Sequence, residues 1–198
     1  MFEDYKITLS SASPRRKELL AALDVDFTVE VAKDEKEVFS DDIPTHLIPE
    51  YIALHKSNSF HRPLEENEIL ITADTLVFVR GEITGKPKDR EDAVRMLRLI
   101  SGVTHQVVTG VVLRTKDNLI SFSDTTDVTV RDLSDSEIDY YVDRYHPYDK
   151  AGAYGVQEWI GHAAITAING SYFNVMGLPV HHLYEELLYL TSQMKKNH

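Results

Sequence analysis

The chain has 198 residues, 42% of them hydrophobic and 27% charged, with a formal net charge of −11. That length and composition suit one globular domain with a sizeable core, and so acidic a balance argues against an extended nucleic-acid surface, which needs a wide basic footprint. There is no cysteine, which excludes disulfides and thiolate metal sites.

No apolar run approaches membrane-spanning length and Met1–Lys6 has no signal-peptide core, so a cytoplasmic protein is expected. Ile7–Leu9 reads as the end of a buried strand. A helix follows with Ser13 as N-cap, Pro14 as its first residue, and Leu19, Leu20 and Leu23 as its inward stripe. Unpaired amides at a helix start favour an anion, and Ser11, Ser13, Arg15 and Arg16 add hydroxyls and two guanidinium forks suited to a polyphosphate. An ordinary capped helix with exposed arginines explains the same residues equally well, because this stretch lacks the glycines of a phosphate-binding loop.

Phe27, Val29 and Val31 alternate with polar residues as in a half-buried strand, and the charged loop Lys33–Glu37 follows. Ile48–Phe60 reads as a helix with Ile52, Ala53 and Lys56 on one face. Ile69–Val79 is too apolar for an edge strand and reads as a central one. Gly81 permits a turn into Glu82–Pro87, and Asp89 caps a helix whose stripe is Ala93, Val94, Leu97 and Ile100. His105–Leu113 and Ser121–Val130 are two further strands, and Ser134 with Glu137 forms a capping box for the helix that Pro147 ends. Asn169-Gly170 predicts a hairpin between Ala163–Ile168 and Ser171–Met176. The last helix places Val180, Leu183, Tyr184, Leu187 and Leu188 on one face, ahead of a frayed tail from Met194. The economical architecture is α/β, a single domain over residues 1–198 with a central mixed sheet flanked by helices.

Asp74 is the most unusual residue, an ionisable group inside an apolar run. A lone buried carboxylate is costly, so it needs a cation, a metal or a proton-transfer task. Alternatively Asp74 ends one strand before another begins and accepts backbone bonds in the turn. Lys86, between Gly85 and Pro87, is a second localised cation, and Lys56 judged alone reads as a surface residue. The nine histidines are scattered, which disfavours zinc. Carboxylates with substrate phosphates suit Mg²⁺ or Mn²⁺, with Glu35, Glu37 and Asp74 as contributors. Ser11 and Ser13 lie at a helix start without the glycine pattern of a hydrolase nucleophile.

With these residues in view, the chain resembles the Maf family of nucleoside triphosphate pyrophosphatases. The likeness rests on five ordered blocks: Ser11–Leu20, Ala73-Asp74-Thr75, Gly85-Lys86-Pro87, Lys150–Gln157 and Gly170–Pro179. It implies an α/β fold with a cleft between two lobes, a divalent metal, and hydrolysis of a nucleoside triphosphate to the monophosphate and pyrophosphate. By position, Asp74 would be the catalytic proton acceptor and a metal ligand. Ser11, Ser13, Arg16, Lys56 and Lys86 would bind the substrate. Arg15, Thr75 and Gln157 stand where the family sets base preference, and the trio looks like the branch hydrolysing dTTP and UTP, a house-cleaning role. Where the family has Asp-Glu, this chain has Lys36-Glu37, making Glu37 the expected metal-associated acid with Glu35 its rival. The family resemblance also implies a homodimer, while the charge and the absence of a membrane-length apolar run predict no nucleic-acid or membrane partner. The rival functions are a nucleotide-binding regulator of septum formation, and a phosphatase or kinase removing only the terminal phosphate.

Overall fold

Residues 2–31 and 43–196 are described in the computed structural model of the protein, so the acidic loop carrying Glu35 and Glu37 lies outside the described residues. The strands are β1 (Lys6–Leu9), β2 (Phe27–Val29), β3 (Glu68–Val79), β4 (Glu82–Thr84), β5 (Thr104–Arg114), β6 (Leu119–Val130) and β7 (Ile165–Asn169). They form one mixed sheet in the order β2-β1-β3-β5-β6-β7, with β4 paired to β3. β1 runs parallel to β2 and β3, whereas β3–β4 and β6–β7 are antiparallel. The helices are α1 (Pro14–Ala21), α2 (Ile48–Asn58), α3 (Arg90–Ile100), α4 (Asp135–Tyr145), α5 (Trp159–Ala164), α6 (Tyr172–Met176) and α7 (Val180–Lys196). The expected α/β architecture with a mixed central sheet is therefore present.

By contacts the chain divides into two units: Met1–Asp74, Thr109–Asp124 and Gly177–His198 form the first, and Thr75–Val108 and Thr125–Met176 the second. In the first, Ile69, Leu70 and Ile71 are buried on both faces of β3, alongside Ile7 and Leu9 of β1 and Leu183 and Leu187 of α7, which is why β3 reads as a continuous apolar run rather than an alternating one. The second unit has its own core, built from Val77 and Val79 with Leu97, Ile100, Ile138 and Ile160.

Four local expectations change. Asn169-Gly170 does not make a hairpin. Gly170 has φ +128° and leads into the short helix α6, with the Ser171 hydroxyl accepting the Asn174 amide at 3.2 Å. Thr126 fixes this exit, since its hydroxyl donates to the Ser171 carbonyl and accepts the Ser171 amide at 3.0 Å, overriding the local turn preference. The strand expected over Phe27–Val31 shortens to three residues, and Val29 and Val31 are exposed, as fits an edge strand paired on one side. The stripe of α7 runs through Leu190 to a buried Met194, while Leu188 is exposed; the helix continues to Lys196, so Met194 is packed rather than frayed, and Lys195 and Lys196 after it are exposed. Leu23 likewise falls in the turn after α1.

An ionic knot closes the start of β3. Glu68 is fully buried, takes both terminal nitrogens of Arg62 at 2.7 and 2.8 Å, and accepts the Thr8 hydroxyl at 2.7 Å. Burial pushes the Glu68 carboxyl up, but Arg62, Thr8 and the Glu65 amide outweigh it and hold the group at about 2. Because the folded value lies below the ordinary 4.5, the stabilisation is present above that pH and is lost as pH falls towards 2. Arg62→Ala is therefore expected to lower the urea midpoint at pH 7, with the gap to wild type narrowing between pH 4.5 and 2; a gap independent of pH contradicts the assignment.

Candidate active site

The turn from β1 into α1 is wound on its own hydroxyls. Ser11 Oγ accepts the Ser13 amide at 3.3 Å, and Ser13 Oγ caps the helix by accepting the Arg16 amide at 3.5 Å. Arg16 turns its guanidinium back over the strand end. Its Nη1 donates to the Ala73 carbonyl at 2.8 Å and approaches Ser11 Oγ at 3.4 Å, and its Nε donates to the Gly177 carbonyl at 2.8 Å. A flexible side chain is thereby held rigid beside the residue that precedes Asp74.

Asp74 lies within an unbroken β3, so the strand-end alternative is set aside. Its residue is only 7% exposed, and its Oδ1 accepts the Lys56 ammonium at 2.6 Å. The cation that the sequence demanded is thus Lys56, from the last turn of α2. Local periodicity explains the meeting. Thr72 Oγ1 donates to the Ala53 carbonyl at 2.7 Å, fixing α2 against β3. Two residues along a strand, and three along a helix, return to the same face. That register carries Lys56 onto Asp74. Lys56 is accordingly half-buried and paired, contrary to its reading as a surface lysine.

Lys86, Thr75 and Gln157 belong to the second unit. Lys86 is exposed and follows Gly85, whose carbonyl accepts the Gly152 amide at 3.0 Å. Thr75 is half-buried on β3 directly after Asp74, and Arg15 is half-buried on α1. Gln157 is half-buried, and its Oε1 is shut from solvent with no hydrogen-bond partner among the described residues. The first unit therefore brings together Ser11, Ser13, Arg16, Lys56 and Asp74. Among the described residues no three His, Asp or Glu side chains cluster as a metal cage, and no helix is long and apolar enough to cross a membrane.

Sequence reasoning missed the groups that fix Arg16, because the Ala73 and Gly177 carbonyls are backbone atoms and leave no residue-type signal. It also missed His105, which is fully buried with Nε2 2.8 Å from the Tyr154 hydroxyl and is pushed down to about 4 by burial.

The family model described as Maf-like protein matches residues 6–190. The chain belongs to the Maf family. Among curated relatives, proteins called dTTP/UTP pyrophosphatase from Parabacteroides distasonis and Porphyromonas gingivalis are 51% and 52% identical. The matches span 92% of this chain in both cases, and 95% and 93% of the relatives. One from Bacteroides thetaiotaomicron is 50% identical over 93% of this chain and 96% of its own length. Among solved structures, the Ham1 protein of Staphylococcus aureus aligns with a TM-score of 0.42 at 16% identity, covering 63% of this chain and 71% of that one, a likeness too loose to add to the reading.

Within this Maf chain the Lys56–Asp74 pair is mostly buried, with side chains 32% and 10% exposed. Removing one partner strands the other's charge, so Lys56→Met is expected to cost about 1–2 kcal/mol at pH 7. Most of that loss returns when Asp74→Asn is added; strictly additive effects in urea unfolding show that the two do not interact.

Proposed function

We propose that this chain hydrolyses nucleoside triphosphates, dTTP and UTP foremost, to the monophosphate and pyrophosphate, with Asp74 as the base that activates water. The observation that carries the reading is a mostly buried carboxylate held by an ammonium beside a rigid guanidinium. Attack at the α-phosphorus develops charge on the phosphoryl oxygens and on the departing pyrophosphate, and fixed cations placed in advance stabilise it. Ser11, Ser13, Arg16 and Lys56 supply hydroxyls and positive charge at the start of α1, where the helix dipole already favours an anion. By its position in the family, Lys86 in the loop after β4 is the further cation assigned to the phosphates in this reading. Lys56 has two suitors: when a phosphate draws its ammonium away, Asp74 loses that contact and becomes a better acceptor for a proton from water.

The relatives' shared name supports dTTP and UTP as substrates and favours turnover over a regulator that only binds. Gln157 supports the pyrimidine assignment, with Arg15 and Thr75 completing the specificity set. Its buried carbonyl oxygen needs a donor, and the N3–H of uracil and thymine provides one, while N3 of cytosine carries no hydrogen.

Asp74 fits a divalent cation in part. A carboxylate oxygen is the hard donor that Mg²⁺ and Mn²⁺ take, and Mg²⁺ commonly uses one or two carboxylates together with substrate phosphates. Asp74 would hold such an ion with the triphosphate, and the ion when bound would neutralise phosphate charge. A substrate drawn from the nucleotide pool supports a cytoplasmic location as part of the same reading.

The test is a nucleotide panel with Mg²⁺ or Mn²⁺, read separately for pyrophosphate and orthophosphate. Pyrophosphate from dTTP and UTP is expected. Asp74→Asn should lower kcat by roughly 10²–10⁴-fold with an unchanged circular dichroism spectrum. Release of orthophosphate alone, or undiminished turnover by that variant, overturns the assignment.

A further inference from the structure

The segment from Lys150 to Glu158 has little regular structure of its own. It contains one 3-10 turn, Ala151–Ala153, and two successive left-handed residues, Gly152 at φ +69° and Ala153 at φ +59°. A non-glycine residue in that region is strained, and such strain persists only where the surroundings over-determine the backbone.

What determines it here is a polar clamp inside the second unit. Lys150, only 8% exposed, places Nζ 3.0 Å from Glu158 Oε1 and so ties the two ends of the segment together. The other carboxylate oxygen of Glu158 accepts the hydroxyl of Tyr141, a fully buried residue of α4. The same hydroxyl accepts the Gly155 amide at 3.0 Å, and the Glu158 amide returns to the Gly155 carbonyl at 3.0 Å. A Cβ on Gly155 would lie 2.9 Å from Glu158 Cδ, so the glycine makes room for the carboxylate. Burial first and the Glu158 carboxylate second push the Tyr141 hydroxyl up, which keeps it protonated as a donor. Farther along, the Tyr154 hydroxyl is held by His105.

A buried ion pair is a poor source of stability, often no better than an apolar replacement, and its best-attested use is to specify geometry. Gln157 is the residue immediately before Glu158. We propose that Lys150, Glu158 and Tyr141 are positioning residues that set the pose of the Gln157 amide and thereby the selectivity for thymine and uracil over cytosine. The proposal rests on the reading of Gln157 as the residue that meets the base. The Gly152 amide on the Gly85 carbonyl, at 3.0 Å, extends the same constraint to the residue before Lys86.

The experiment compares kcat/KM for dTTP and dCTP in wild type, Tyr141→Phe, Glu158→Gln, Lys150→Met, Lys150→Arg and Gln157→Ala. Tyr141→Phe removes only the bridging hydroxyl and keeps the ring against Tyr145 and Trp159, so it carries the test even where Glu158→Gln does not fold. The expected result is a dTTP:dCTP ratio reduced about tenfold in Tyr141→Phe and Glu158→Gln, mainly through KM for dTTP, because a displacement near 1 Å is enough to lose that much. Lys150→Arg should recover most of the selectivity that Lys150→Met loses. A lowered melting temperature with an unchanged ratio means that the cluster only stabilises the fold, which overturns the proposal. If Gln157→Ala loses selectivity while the clamp variants keep it, the clamp fails and the reading of Gln157 stands. A wild type that does not prefer dTTP, or a Gln157→Ala variant as selective as wild type, removes that reading and the proposal with it.

Discussion

A carboxylate in a central strand is tolerable only if something answers its charge, and in this chain the answer is the ammonium of Lys56 on Asp74 at 2.6 Å. Much of the first unit can be read as what that meeting requires. α2 must lie against β3 in one register, which the Thr72–Ala53 hydrogen bond fixes. β3 must be long and continuous, and its buried aliphatic residues on both faces make it so. The start of β3 must be held as well, and there a fully buried glutamate is gripped by Arg62 and Thr8. The two ionic arrangements differ in kind. Glu68 is saturated by donors and belongs to the fold, whereas the Lys56–Asp74 pair is partly open to solvent, which is what the proposed exchange of Lys56 onto a phosphate requires.

The second unit solves a different problem with similar parts. Its charged groups do not meet across a helix–strand contact but close an irregular segment on itself. Lys150 and Glu158 stand at the two ends, and the Tyr141 hydroxyl spans the middle through the Gly155 amide. The aromatic ring that delivers the hydroxyl comes from α4, whose start is set by the capping box of Ser134 and Glu137. A local sequence signal thus positions a side chain whose partner lies 17 residues further along the chain.

What could be read from the chain divides along the same line between local and distant determinants. β3, α3 and α4 were legible because their apolar spacing and caps are complete within the element, and Asp89 and Ser134 do cap as expected. Asp74 stood out because a charge in an apolar run violates the pattern around it. Lys56 did not, since a lysine on an amphipathic helix satisfies every local rule and only the packing of α2 on β3 reveals its partner. The Asn169-Gly170 turn was misread for a related reason. Its two-residue signal is the strongest local hairpin cue, but the Thr126 hydroxyl, 45 residues away from Ser171, claims both backbone groups of that residue and starts a helix. The partners of Arg16 were invisible because they are carbonyl oxygens, common to every residue.

The remaining tension is between a net charge of −11 and the polyanionic ligand proposed here. Long-range attraction cannot bring a triphosphate to such a surface, so recognition has to be local. The geometry meets that condition by dividing its charges. Many acidic side chains are matched close to where they stand: Glu137 with Arg131, Asp139 and Asp143 with Arg90, Glu30 with Arg62. The first turn of α1 carries no acidic residue and begins with Pro14-Arg15-Arg16-Lys17. At physiological salt the field of a distant exposed carboxylate is largely screened beyond about 8 Å, so a phosphate at the proposed site would meet the start of α1 and its nearby guanidinium forks rather than the average charge of the molecule. On that reading an excess of acid elsewhere costs the phosphate site little affinity, because the charges that matter to it are local.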